Sequence, residues 1–270
     1  MRLQLTSAIA TTAMLVSAAL PAAAQEEVGQ ATLIRTTVTG DAGPLAKRSP
    51  VYRDERIRTS SSGLGEFMFR DGSKFAVGRN SSVVIDRFVY DGAKTFDKLT
   101  LNAARGSFRW ISGKSRSDAY EIVTPAGTIG VRGTRFDIFI GAGGITSVVL
   151  LDGAARFCGA NGCKDLRRRC DVVVATPGGG VSDPSRVNRD VFATVGTDLA
   201  FPFLSGRQRL SRGFQGFASG SCGLSVAGTQ HKDHSGAVQR SRPRSRGGEN
   251  EGPDDNESPG NDNENPYGGH

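Results

Sequence analysis

Histidine is almost missing from this chain. Its three copies, His231, His234 and His270, all fall in the last 40 residues. A Ser-His-Asp triad inside any earlier folded part is thereby excluded. No P-loop and no serine nucleophile elbow occurs. Asp and Glu are scattered, so no hydrolytic carboxylate pair stands out. His231 and His234 sit in a polar, charged stretch that reads as solvated chain rather than as a metal site. Beyond the first 24 residues no apolar run approaches the length of about 18 that a membrane-spanning helix needs. Aromatic residues make up 7% of the chain, with a single Trp, and Trp110 reads as a packing residue. These absences argue against an enzyme and against a cofactor or metal site.

Glycine, by contrast, is plentiful, with 36 copies. No Gly-X-Y period accompanies it, so the chain is not collagen-like. It calls instead for many turns and some unfolded chain. The formal charge of +7 suggests a nucleic-acid protein until it is mapped. Residues 25–230 carry 28 Lys and Arg against 19 Asp and Glu, whereas residues 231–270 carry 5 against 8. The positive charge therefore belongs to the middle of the chain. The end is split between a basic run from Lys232 to Arg246 and an acidic one from Glu249 to Glu264. Such a segment buries too little to offset its ordering entropy, so 228–270 is expected to be a disordered tail.

The first 24 residues have the form of an export signal: Arg2, an apolar stretch from about Ile9 to Leu20, then Pro21-Ala22-Ala23-Ala24 ahead of Gln25. Cleavage after Ala24 would leave a periplasmic or secreted chain without a transmembrane anchor, for which a nucleic-acid partner is not expected. An exported chain with an even cysteine count points to disulfides. Cys158 and Cys163 flank Gly159-Ala160-Asn161-Gly162, a hairpin turn in composition, and are expected to pair. Cys170 would then pair with Cys222, closing a loop of about 50 residues at about 4 kcal/mol of loop entropy. Four cysteines allow three pairings. The rival, a zinc site, lacks the double Cys-x(2–4)-Cys spacing. Arg167-Arg168-Arg169 beside Cys170 reads as an exposed face.

Strand-like runs separated by turn signals recur through the middle. They are Ala31–Val38, Phe67–Arg70, Phe75–Val77, Val83–Val89, Leu99–Leu101, Ser107–Ile111, Tyr120–Val123, Thr128–Ile140, Thr146–Leu151 and Val172–Ala175. Asp71-Gly72, Asp91-Gly92 and Asp152-Gly153 lie between runs as hairpin turns would. Arg135-Phe136-Asp137-Ile138-Phe139-Ile140 alternates with period two. No helical stripe occurs before about residue 186, and Arg189–Phe203 has room for one short helix. Strands without intervening helices predict an all-β fold: a jelly roll, a sandwich or a short solenoid. The expected organisation is a signal at 1–24, a β domain at 25–180, an arm at 181–227 pinned by Cys170–Cys222, and the tail.

The run Tyr120-Glu121-Ile122-Val123-Thr124-Pro125-Ala126-Gly127-Thr128-Ile129-Gly130-Val131-Arg132-Gly133-Thr134-Arg135-Phe136-Asp137-Ile138 resembles the central signature of the FecR family. Ile57-Arg58-Thr59, Asp71-Gly72-Ser73, Gly106-Ser107-Phe108 and Asp152-Gly153-Ala154 fit the same family in the same order. The resemblance implies an all-β extracytoplasmic domain whose signature residues are Thr124, Pro125, Gly127, Gly130, Val131, Arg132, Gly133, Thr134 and Phe136. Glycines every third residue fall on alternate strand faces, where they permit positive φ, a bulge or close backbone approach. Arg132 would point away from the core and tie strand ends, or clamp a ligand. Thr128 and Thr134 would satisfy local hydrogen bonds. Regulators of this type carry a cytoplasmic segment that contacts a sigma factor, for which 24 residues leave no room. The expected role is therefore a sensor or interaction module acting by protein binding, with an envelope or outer-membrane protein as partner. A structural protein binding peptidoglycan or polysaccharide is the alternative.

Overall fold

The structure is a computed structural model that describes residues 26–90, 95–215 and 222–224, with backbone alone at 87–90, 96 and 132. The signal-like stretch, the Asp91-Gly92 turn and the tail lie outside the described residues. Fifteen strands form among them: β1 Glu27–Arg35, β2 Val38–Gly40, β3 Gly43–Pro44, β4 Pro50–Tyr52, β5 Arg56–Thr59, β6 Leu64–Phe69, β7 Lys74–Val77, β8 Ser82–Tyr90, β9 Phe96–Ile111, β10 Tyr120–Thr124, β11 Gly127–Ile140, β12 Thr146–Gly159, β13 Gly162–Leu166, β14 Asp171–Ala175 and β15 Ser185–Arg186. Short helices follow: α1 Asp190–Thr194, α2 Pro202–Ser205 and α3 Arg212–Gln215.

Three long strands organise the sheet, because each serves two halves of it. The first part of β9 pairs with β8 and, in parallel, with β10; its last residues pair with β7 and β11. The first part of β11 lies between β10 and β12, and its second part between β9 and β12. The start of β12 carries β14, and its end carries β13. One half thus runs β4-β1-β6-β7-β9-β11-β12-β14-β15 and the other β3-β2-β5-β8-β9-β10-β11-β12-β13. Where β11 and β12 bend together, Gly133 has φ +59° and Gly153 φ +77°; a Cβ on Gly153 would lie 2.5 Å from the Gly133 carbonyl oxygen. Both positions need glycine for the paired strands to turn without parting.

The halves share one apolar core. Trp110, Phe67, Phe75, Phe108, Phe136 and Phe157 are fully buried in it beside Ile57, Ile85, Leu99, Leu101 and Ile122. The Phe75 and Phe108 rings stack at 5.6 Å, and Trp110 meets Tyr120 edge-on at 5.2 Å. This antiparallel arrangement decides among the expected all-β architectures in favour of a sandwich with barrel-like bending. A solenoid would need parallel stacking throughout, and β9–β10 is the one parallel pair among the described strands.

Several run boundaries differ from the sequence reading. Leu99–Leu101 and Ser107–Ile111 are one strand that bends at Gly106, φ +107°. Ala31–Val38 is broken at Thr36, φ 52°, into two strands belonging to different halves. Asp152-Gly153 is a bend within β12, not a hairpin turn. Asp71-Gly72 does turn between β6 and β7, and it is anchored: the buried Asp71 carboxylate accepts from the Ser73 amide at 2.8 Å, the Ser115 hydroxyl at 2.8 Å and the Tyr120 hydroxyl. Burial, then the neighbouring Asp71, pushes the Tyr120 phenol above its ordinary value. Arg189–Phe203, read as holding one helix, contains α1 and the start of α2.

The arm packs on the outer face of the first half. Phe139, Val149 and Val172 of the sheet gather Val187, Val191, Val195, Phe201, Leu204 and Leu224 into a second cluster; Leu64 and Ala76 gather Leu210 and Phe214 into a third. Helices of four or five residues are not stable alone, so packing and the disulfide hold them. Cys158 is bonded to Cys163 and Cys170 to Cys222, the pairing expected from spacing, and this removes the zinc alternative.

Charge is trapped under this arm. Arg109 and Asp137 are cross-strand neighbours, 4% and 1% exposed. The Arg109 Nε and Nη2 donate to the two Asp137 oxygens at 2.6 and 2.8 Å. Arg109 also donates to the carbonyls of Phe214 and Gln215 and lies 5.6 Å from the Phe203 ring centre. Burial pushes the Asp137 carboxyl up, and Arg109 pulls against it. The fully buried Glu66 accepts from the Ser211 amide at 2.6 Å and from its hydroxyl.

Removing one partner of a buried pair strands the other charge, at about 3–5 kcal/mol. Asp137→Leu and Arg109→Met should each lower stability by that amount in urea unfolding, and the double variant by clearly less than their sum. Additive losses would contradict a closed pair. Cys170→Ser with Cys222→Ser should cost about 4 kcal/mol in the loop-entropy model, against about 2 kcal/mol for the shorter Cys158–Cys163 loop. The larger loss should come with protease cleavage within residues 189–215.

Candidate functional site

While the arm covers the outer face of one half, the other half carries an open groove of about 720 Å³ over β10, β11, β12 and β13. Its geometry follows from strand register. Glu121, Gly130, Arg156 and Asp165 stand in one row across the four strands. The row alternates acid, no side chain, base and acid. Gly130 is the gap: nothing approaches its Cβ position closer than the Arg156 carbonyl oxygen at 3.9 Å, and its φ is not left-handed. Thr128 and Ala154 are small residues beside it, so the floor is largely backbone.

Ion pairs rim this floor. Lys98 pairs with Glu121 on one side. On the other, Arg156 holds Asp165 through Nε at 2.6 Å and Nη2 at 3.1 Å, and Arg167 holds the same carboxylate at 2.9 Å. Hydrogen bonds from the two arginines, Arg156 first, keep the Asp165 carboxyl well below the usual carboxylate range, and Asp165 holds the Arg156 guanidinium up. Arg116 and Asp118 pair at the end of the groove near Ser117. Exposed pairs of this kind contribute little to stability. Their fixed geometry offers alternating donors and acceptors to a visiting chain.

The signature residues divide between support and surface. Thr124 closes the β10–β11 turn by donating from Oγ1 to the Gly127 carbonyl at 2.8 Å; Pro125 sits within that turn. Gly127 has φ +150° and would place a Cβ 2.1 Å from the Cys158 carbonyl oxygen, so it allows β11 to close on β12. Val131 and Phe136 are core residues. Gly133 makes the bend, and the Thr134 hydroxyl donates to the Ala154 carbonyl. Thr128 lines the groove. Arg132 lies on β11 opposite Ala154; its side chain is outside the described residues. Sequence reasoning missed Lys98, Glu121, Arg156 and Asp165 as a set, since their alignment depends on register between strands up to 67 residues apart (Lys98 to Asp165). It read Arg167 only as part of an exposed basic run. Among the described residues no group of three or more His, Cys, Asp or Glu could hold a metal, and no helix is long and apolar enough to cross a membrane.

Gly127→Ala should destabilise the fold by about 1–3 kcal/mol through backbone strain and steric clash. Gly130→Val should leave the unfolding midpoint unchanged or raised, because strand glycine costs about 0.5–1 kcal/mol, while filling the groove. Equal losses at both positions in thermal unfolding would refute this division between support and surface.

No curated protein matches the chain. Two crystal structures of a protein from Parabacteroides distasonis ATCC 8503, described as an anti-sigma factor, are similar to it at 9% sequence identity, with TM-scores of 0.40 and 0.39. Each similarity covers 50% of this chain and 61% of the other, and at these scores neither supports a functional transfer. A family model described as FecR protein matches residues 55–156, which run from the start of β5 through the Arg156 end of the groove. The chain therefore carries a FecR domain across residues 55–156.

Proposed function

We propose that this chain is a periplasmic or secreted sensor or interaction module that works by binding a protein partner along the β10–β13 groove. The observation that carries the reading is the row Glu121–Gly130–Arg156–Asp165, which leaves a backbone-floored channel between fixed charges on the signature strand of the FecR domain. A channel with alternating charge and no deep apolar hole suits an extended or irregular polypeptide segment better than a small apolar ligand. The export-like pattern of residues 1–24 and the exported-type disulfide usage support an extracytoplasmic location. FecR proteins are regulatory, which favours signalling over catalysis.

Photo-crosslinker placed at Thr128 in the full chain, expressed in its own cell envelope, tests this. One protein should be captured, and capture should fall at least tenfold in Gly130→Trp and in Arg156→Glu with Asp165→Arg. Capture that ignores these substitutions would overturn the groove as the interface. Cosedimentation with purified sacculi that persists at high salt and depends on the same residues would replace the protein partner by an envelope polymer.

A further inference from the structure

A second concavity, remote in chemistry from the groove, lies where the arm meets the sheet. It measures about 290 Å³ and is formed by the loop after β7, the bend of β9, the end of β11 with its following turn, and the arm segment after α1. Its character is mixed. Phe139 and Ala142 give an apolar wall, and Leu199 stands at its edge, 40% exposed, a large aliphatic side chain turned to solvent. Arg79 and Arg105 supply two positive charges to the same space.

Those two arginines differ from several others in the chain. Arg109, Arg156, Arg167 and Arg207 each hold a carboxylate. Neither Arg79 nor Arg105 makes an ion pair or a side-chain hydrogen bond to another described residue. The Arg79 Nε is buried without a hydrogen-bond partner, while the Arg79 backbone amide is fixed by the Gln208 side chain at 2.9 Å. The carboxylate nearest in sequence to the arm wall, Asp198, is already held by Arg207 at 2.6 Å. A guanidinium without a carboxylate partner, set beside an apolar wall, is a ready donor to an anionic oxygen through charge-assisted hydrogen bonds.

We propose that this cleft binds a small amphiphilic carboxylate, its head held by Arg79 and Arg105 and its apolar body laid against Phe139, Ala142 and Leu199. The volume lies at the lower end for small-molecule sites, about 300–1,000 Å³, and suits a body of several carbons rather than a long chain. Because Thr197 and Leu199 belong to the arm, an occupant would bridge arm and sheet and stabilise the docked arm. This site is independent of the groove, so failure of one reading leaves the other standing.

Titration of the full chain with octanoate, followed by calorimetry and by the thermal midpoint, tests the proposal. Saturable one-to-one binding and a raised midpoint are expected. Octan-1-ol and inorganic phosphate should each bind at least tenfold more weakly, since each lacks one half of the recognised chemistry. The Arg79→Gln, Arg105→Gln double variant should lose at least tenfold in octanoate affinity at an unchanged ligand-free midpoint, and Leu199→Ser a smaller factor. Absence of saturable octanoate binding would overturn the site, as would equal affinity in the double variant. Phosphate binding as tightly as octanoate would reduce it to an anion contact. Attachment to phosphatidylglycerol vesicles without octanoate binding would assign the arginines to a lipid surface and overturn the small-ligand reading.

Discussion

The Arg109–Asp137 pair constrains the architecture of this protein. Two charges placed opposite each other on adjacent central strands face outward from the apolar core, and an uncovered sheet would leave them to water. Instead the arm closes over them, and the arginine extends to the carbonyls of Phe214 and Gln215. Desolvating such a pair is costly unless every donor and acceptor is met. The arm meets them, and Ser211 does the same for Glu66. The polar contacts therefore set where the arm must lie, while the apolar clusters around Phe201 and Phe214 contribute most of the driving force.

This coverage makes the two outer faces of the sandwich unlike. One is sealed by the arm and tied by Cys170–Cys222. The other is left open and bears the charged groove. The long strands β9, β11 and β12 connect the two, because each lends one part to each half. Bends at Gly106, Gly133 and Gly153 are what allow a single strand to do so. The FecR match ends at residue 156, before the arm begins. The groove floor lies within the matched region, and the sealing arm is an addition beyond it.

Much of the β architecture was legible in the chain. Period-two alternation at 135–140 marks a strand with an inward set, Phe136, Ile138 and Ile140. The opposite set, Asp137 and Phe139, reads as solvent-facing by the same rule, yet both are buried. Alternation reports that a strand has two faces; it cannot report that a segment far later in the chain will cover the second one. Asp152-Gly153 failed as a turn signal for a related reason. A glycine with positive φ serves a hairpin turn and a strand bend equally well, and the pairing partner decides between them.

Composition and local spacing were sufficient for the all-β class, for the hairpin disulfide at Cys158–Cys163 and for the FecR signature, because each depends on residue type or on neighbours within a few positions. The groove, the buried pair and the arginine cleft were decided by tertiary structure alone. Their members come from strands paired in a particular register and from an arm folded back across half the chain. A one-residue slip in that register would move Glu121, Arg156 and Asp165 to the opposite face and close the site.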